Sequence, residues 1–343
     1  MNAIVKTERA AGAVMKDIPS RGLQRAAEIL VRPIMTSICG TDYHVYSWDA
    51  WAAGRVTPPR VMGHEYIARV VEVGSETSGF QIGDLVSGES HIVCGTCLQC
   101  RTGQGHVCAA TRILGVDTDG CFCEEFAIPQ ASVWKCPPSI SPEIACILDP
   151  LGNAVHTVLA GEVAGRRVLV LGCGPIGAMA VAVARACGAS TIIATDTRPY
   201  RLDLARRLGA DLTIDIREQD VQSTVQHVSP GGVDVSLEMS GAPSALTAAL
   251  RSTRPGGRVS LLGLPSGDVS IALSEDVVLR GLTLQGIVGR RLYETWATMG
   301  ELLSSGRLDV RPIITHEMPW TDFADAMALM RDGTCGKVVL HMG

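Results

Sequence analysis

Four thiols stand close together at Cys94, Cys97, Cys100 and Cys108, with Gly95 and Gly103 placed to let the backbone double back. Side chains of this type at this spacing have few uses. They can converge on one tetrahedral Zn²⁺, and a zinc whose four positions are all filled by sulfur is closed to substrate, hence structural. The competing uses are disulfides and an iron–sulfur cluster. A ferredoxin-type run ends in a three-residue gap and Cys-Pro; here seven residues separate Cys100 from Cys108, and Ala109 follows. The spacing favours structural zinc.

A second group has the makings of a reactive site. Cys39, Thr41 and His44 stand within one short stretch, and Gly63-His64-Glu65 follows. A thiol, an imidazole and a carboxylate are the donors that hold zinc while leaving one position open. Asp149 is a further candidate carboxylate. Glu65 and Asp149 compete for one coordination position; we favour Glu65 as a displaceable ligand and Asp149 as a group that orients a metal-bound histidine. Taken singly these are a buried thiol, a core histidine and a surface charge; together they describe a Lewis-acid site. Zinc can bring the pKa of a bound water from about 15.7 to about 7.

Val168-Leu-Val-Leu-Gly172-Cys-Gly174-Pro-Ile-Gly177 holds a candidate dinucleotide site. The G-x-G-x-x-G element alone is weak in a chain with 37 glycines. Its context is stronger: an apolar strand precedes it, an Ala-rich helix over Ala178–Cys187 follows, and a second strand ends at Asp196, nineteen residues past Gly177. Gly172 permits the tight turn, Gly174 lets a pyrophosphate approach the backbone, and Gly177 brings helix against sheet. The helix N-terminus offers N–H groups and a positive dipole end to phosphate. Asp196 is placed to accept from the adenosine ribose hydroxyls and would repel a 2′-phosphate, which favours NAD over NADP, although Arg198 or Arg201 could neutralise such a phosphate.

The elements that must position these groups differ in texture. Residues 1–150 are broken by Gly and Pro, with short β-like runs such as Tyr66–Val73 and Asp84–Ser87, and predict an irregular, largely antiparallel domain. Beyond about Val155 the pattern is strand–helix–strand. Apolar runs at Arg167–Leu171, Thr191–Thr195, Asp211–Ile214, Val233–Leu237, Arg258–Leu262 and Thr283–Ile287 predict a doubly wound parallel sheet. The closing run Lys337–Leu340 predicts a strand that rejoins the first domain. A chain of 343 residues, 46% hydrophobic, has material for two cores. The net charge of −5 argues against nucleic acid or an anionic membrane as partner. Neither a signal peptide nor a bilayer-spanning run is evident, and seven singly scattered cysteines suit a reducing cytoplasm.

In these motifs the chain resembles the zinc-dependent medium-chain alcohol dehydrogenases, and within them the threonine dehydrogenase group. The segments that carry the resemblance are Ile38-Cys-Gly-Thr-Asp-Tyr-His44 with Trp48-Asp-Ala-Trp51, Gly63-His-Glu-Tyr66, Gly88-Glu-Ser-His-Ile-Val-Cys94 with the cysteine lobe, Asp149-Pro-Leu-Gly-Asn-Ala-Val-His156, Leu237-Glu-Met-Ser-Gly-Ala-Pro243 and Gly289-Arg-Arg-Leu-Tyr-Glu-Thr-Trp296. They reach from residue 38 to residue 296. The resemblance implies a Rossmann domain, residues 154–292, inserted into a GroES-like, mainly β catalytic domain made of 1–153 and 293–343. It implies that Cys39, His64 and Glu65 bind a catalytic zinc and the four cysteines a structural one. Thr41 and His44 would form the proton relay, Asp149 would assist near the metal, and His91 would face the substrate. Gly172, Gly174, Ile176, Gly177, Asp196, Arg201, Leu262, Gly263, Leu264, Ile287 and Val288 would contact NAD.

The implied reaction oxidises the 3-hydroxyl of L-threonine to 2-amino-3-oxobutyrate. That β-keto acid would decarboxylate unless a partner such as a 2-amino-3-oxobutyrate ligase takes it. A cytoplasmic homotetramer is the implied assembly. Ala68-Arg69 and Cys173 depart from the family pattern without touching a proposed ligand. Two other readings remain: a related dehydrogenase of a polyol or another amino alcohol, and a catalytically silent NAD-binding protein. The presence of Cys39, Thr41, His44, His64 and Glu65 speaks against the silent form.

Overall fold

The computed structural model describes all 343 residues and divides into two compact units. The first comprises Met1–Asp149, Arg291–Trp296 and Ile314–Gly343; the second comprises Pro150–Arg290 and Ala297–Ile313. Ala297–Ile313 thus groups with the second unit. Its buried Met299, Leu308, Val310 and Ile313 need cover, and the turn Arg311–Ile313 finds it against helices Pro175–Ala186 and Pro199–Arg207.

The second unit holds six parallel strands in the order Leu212–Asp215, Thr191–Asp196, Arg167–Leu171, Val233–Glu238, Thr253–Leu261 and Thr283–Gly286. The central strand is buried on both faces, as a parallel sheet covered by helices requires. Strand order reverses beside it, which creates the crevice where doubly wound sheets bind ligands. The helix after it runs Pro175–Ala186, three residues earlier than the apolar pattern indicates, because Pro175 suits the first helical position and Gly174 serves as the N-cap.

The first unit is built round a sheet in which Glu28–Ser37 lies antiparallel to both Glu65–Val73 and Lys337–His341. Lys337–His341 also pairs with Ile314–Pro319, here in parallel, since helix Phe323–Asp332 carries the chain back between them. The register puts Ser37 opposite Glu65 on one side and Val339 on the other. A C-terminal strand thereby delivers side chains to the start of Glu65–Val73. The core of this unit draws on residues far apart in the chain, among them Ile4, Val31, Val45, Phe122 and Val338. No helix is long and apolar enough to cross a membrane.

Candidate active site

Cys39 is the N-cap residue of helix Gly40–Ser47, and Asp42 in the first turn accepts its backbone N–H at 2.8 Å. His64 and Glu65 arrive from another direction, at the head of strand Glu65–Val73. Gly63 makes that approach possible. It has φ of +91°, and a Cβ there would sit 2.2 Å from the ring of Phe122. Gly120 is as constrained, because its Cβ would fall 2.2 Å from the Gly63 carbonyl oxygen. The glycines let the segment that leads into His64 pack closely against the one that carries Gly120 and Phe122.

The result is a trio. One donor atom each from Cys39, His64 and Glu65 lies within 4.8 Å of the others, the carboxylate and imidazole buried and the thiol half-buried. Asp149 stands outside it, buried, accepting the Ser90 N–H at 3.2 Å. Glu65 Oε1 is buried with no hydrogen-bond partner, while its other oxygen is taken by the Ser37 hydroxyl and by Lys337 Nζ at 2.5 Å. A carboxylate anchored by one oxygen and unsatisfied at the other, beside a thiol and an imidazole, fits a zinc with an open position.

Sequence reasoning missed two residues here. Asp42 Oδ1 lies 3.3 Å from His64 Nδ1, not aligned as a hydrogen bond but close enough to act by charge. Burial alone would lower the His64 imidazolium; Asp42 and Cys39 outweigh it and hold the proton well above the ordinary histidine range. A metal binding there must displace that proton. Asp42 in a first turn reads locally as a capping residue, which it also is. Lys337 is fully buried and additionally donates to the Ile38 carbonyl at 2.6 Å. Burial opposes its charge, but Glu65 outweighs the effect and keeps it protonated. Nothing local to either residue signals a pair separated by 272 positions.

The other first-unit residues take these places. Thr41 and His44, three apart on helix Gly40–Ser47, share a face. His44 is exposed, and its Nδ1 donates to Asp49 Oδ2 at 2.5 Å. His91 is held through both its backbone N–H and its ring by Glu89 Oε1, at 3.0 and 3.1 Å. Glu89, itself buried, accepts the Trp296 indole N–H at 3.1 Å through its second oxygen.

The cysteine lobe meets a separate fit test. All twelve thiols are free, so no disulfide competes. The four sulfurs lie within 4.8 Å of one another, with 3.5 Å between those of Cys94 and Cys108 and 3.8 Å between those of Cys97 and Cys108. Bonds of about 2.3 Å to a tetrahedral zinc put sulfurs about 3.8 Å apart. Gly95 and Gly103 both have positive φ, +72° and +77°, as the doubling-back requires. Backbone N–H groups point at the sulfurs: Cys94 N–H at that of Cys108, Cys97 N–H at that of Cys94. Bonds from Thr96 and the Cys97 N–H pull the Cys94 thiol down to about 6, whereas burial and its sulfur neighbours push Cys100 up to about 12.

In the second unit each glycine of the loop does a distinct job. Gly172 has φ of +94° and abuts Ser240; a Cβ on Gly177 would fall 1.9 Å from the Gly172 carbonyl oxygen; a Cβ on Gly174 would meet nothing within 4 Å. The open position is the one where a pyrophosphate approaches. Asp196 ends the neighbouring strand, buried, accepting the N–H groups of Cys173 at 2.8 Å and Arg198 at 3.0 Å. Arg201 reaches to 3.7 Å from the same carboxylate. Leu262–Leu264 follow strand Thr253–Leu261, and Ile287 and Val288 follow Thr283–Gly286. Ile176 lies in the first turn of the helix after the loop. The predicted coenzyme contacts therefore gather at the carboxyl ends of the parallel strands. Arg290 is buried and donates to Asn153 Oδ1 at 3.0 Å, and Arg291 faces Glu294 at 3.6 Å.

Comparison with known proteins agrees with this geometry. Residues 25–138 match the alcohol dehydrogenase GroES-like domain and residues 175–305 the zinc-binding dehydrogenase domain. The chain is 50% identical to an L-threonine 3-dehydrogenase of Pyrococcus abyssi, over 100% of this chain and 99% of the relative. It is 48% identical to one of Bacillus velezensis, over 99% and 98%. Among solved structures, alcohol dehydrogenase TADH from Thermus sp. ATN1 superposes with a TM-score of 0.92 at 32% identity, covering 99% of both chains. With both zinc sets, the glycine loop and these full-length likenesses in view, the chain belongs to the zinc-dependent medium-chain alcohol dehydrogenase family.

Proposed function

We propose that the chain oxidises the 3-hydroxyl of L-threonine to 2-amino-3-oxobutyrate with NAD⁺. The observation that carries the chemistry is the Cys39–His64–Glu65 trio, its imidazole and carboxylate buried and one Glu65 oxygen unsatisfied. The substrate follows from identities near half with threonine dehydrogenases along the whole chain.

When bound, zinc supplies the Lewis acidity that makes the alcohol a better acid, and NAD⁺ supplies the hydride acceptor. The chain does the rest. Cys39, His64 and Glu65 hold the catalytic metal; Lys337 and Ser37 fix the carboxylate from behind. Thr41 accepts the proton of the alcohol and passes it toward His44, whose exposure gives the proton a way out to water. Asp149 assists close to the metal without being one of its ligands. His91, set by Glu89, faces the substrate. Gly172, Gly174 and Gly177 admit the coenzyme's pyrophosphate, Asp196 takes its ribose hydroxyls, and Ile176, Arg201, Leu262–Leu264, Ile287 and Val288 flank it. Cys94, Cys97, Cys100 and Cys108 hold a zinc that shapes their lobe.

The family resemblance supports a cytoplasmic homotetramer with domain boundaries near residues 153 and 293, Ala297–Ile313 grouping with the second unit. Its unstable product calls for a downstream ligase.

The test is steady-state NAD⁺ reduction by purified protein with L-threonine, sorbitol, 2,3-butanediol and simple secondary alcohols, before and after chelation. The proposal expects L-threonine to give the highest kcat/KM and chelation to abolish turnover. A higher value for a polyol would transfer the chain to another substrate class, and activity surviving complete zinc removal would end the mechanism.

A further inference from the structure

Helix Ala50–Arg55 begins directly beyond the helix that carries His44, with Trp48 and Asp49 between them. The two carboxylate oxygens of Asp49 are divided between two tasks. Oδ1 accepts the Ala52 N–H at 3.0 Å and so caps the second helix. Oδ2 faces His44 Nδ1 at 2.5 Å. An ionised carboxylate can only accept, so the imidazole proton in this bond belongs to Nδ1. The neutral ring then has its lone pair on Nε2. The cap favours the ionised form of Asp49: the Ala52 N–H, together with His44, holds the carboxyl below its ordinary range. Trp51, in the first turn of the second helix, lays its ring 6.0 Å from the imidazole at a tilt of 57°, and Arg55 Cζ sits 6.0 Å from the centre of that Trp51 ring. The ring of His44 is thus oriented although it is more than half exposed.

We propose that Asp49 is a positioning residue for the proton relay. It fixes His44 with Nδ1 as donor, so that Nε2 is the atom that accepts the proton leaving the alcohol. No net charge is created on Asp49: the proton enters the ring at Nε2, and a proton leaves to water. The inference rests on the relay reading of Thr41 and His44. It adds the reason for an aspartate at this point, which the helix cap alone does not require, since serine or asparagine caps as well.

The test compares Asp49→Ser, Asp49→Asn and His44→Gln in the full-length, zinc-loaded enzyme. Serine keeps the cap but cannot reach His44. Asp49→Ser should lower kcat by roughly 10-fold to 100-fold, part of what general acid–base catalysis supplies, with KM for L-threonine, zinc content and thermal midpoint little changed. The solvent deuterium isotope effect on kcat should rise, because proton removal becomes slower. Imidazole buffer should restore turnover in both Asp49→Ser and His44→Gln. Asp49→Asn, which keeps an acceptor but not the charge, should fall between wild type and serine. If His44→Gln is impaired while Asp49→Ser matches wild type in kcat and isotope effect, the positioning role is wrong and the relay stands. If His44→Gln itself turns over normally, the relay reading fails and takes this inference with it. Parallel loss of zinc, stability and kcat in both Asp49 variants would make the residue structural and overturn the assignment.

Discussion

Substituting Lys337 by Met tests how the metal-binding carboxylate is held. Lys337 Nζ lies 2.5 Å from Glu65 Oε2, and the two side chains are 2% and 0% exposed. Ser37 shares that oxygen, and the partner oxygen has no donor within the protein. Methionine matches the lysine stem but removes the charge, leaving a buried anion with one hydroxyl for company. Breaking a buried ion pair in this way costs about 3–5 kcal/mol, and the metal-stripped protein should lose that much. Zinc restores positive charge at the same carboxylate, so the loaded protein should lose less, on the order of 1–2 kcal/mol by the same reasoning. Thermodynamic linkage then requires the difference to reappear in binding. A gap of about 2–3 kcal/mol is a tightening of zinc affinity by roughly 30-fold to 150-fold, at about 1.36 kcal/mol per factor of ten. Denaturant midpoints of stripped and loaded protein, with chelator competition for zinc, measure both sides. Adding Glu65→Gln to Lys337→Met should recover much of the lost stability while abolishing tight catalytic zinc. A Lys337→Met protein that is as stable as wild type when stripped, or that binds zinc more weakly, would refute the idea that lysine and metal share this carboxylate.

Metal analysis should give two zincs per chain, and Cys97→Ser should lose one of them while threonine turnover falls mainly through instability of the lobe. In zinc-stripped protein, mass-spectrometric alkylation at pH 7 should modify Cys94 well ahead of Cys100. The sign follows from the shifts: a thiol lowered to about 6 remains a thiolate as pH falls until that value, whereas one raised to about 12 is protonated throughout; equal rates would contradict the geometry. Asp196→Ser should raise KM for NAD⁺ by roughly 10-fold to 150-fold, the equivalent of about 1.5–3 kcal/mol for a charged hydrogen bond, and narrow the preference over NADP⁺. Asp149→Asn should cost turnover more than zinc content; equal loss of both would promote Asp149 to a ligand.

Much of the site is legible in the chain because its determinants are local. Gly172, Gly174 and Gly177 occupy one turn, and steric demands at one turn do not depend on distant partners. The strands flanking that loop read as continuous apolar runs because both faces of a parallel sheet are covered, and the observed boundaries differ by only a residue or so over most of the sheet. Ambiguity remained where one residue type serves two purposes. Glu65 and Asp149 are both acidic and both near reactive motifs; the backbone path alone brings Glu65 to Cys39 and His64 and directs Asp149 to the Ser90 N–H. Asp49 similarly reads as a cap until the adjoining imidazole is placed.

The primary structure by itself determined which donors this protein owns and where the cysteine lobe and glycine loop must turn, since those depend on neighbours a few residues apart. Tertiary structure decided the electrostatics of the reactive trio. Glu65 receives its counter-charge from Lys337 across 272 residues, and Glu89 receives the Trp296 indole across 207. Such pairs are set by strand register and helix docking. They carry no periodicity or spacing of their own, because the free energy that selects them comes from burying charge and satisfying it only once the chain has closed.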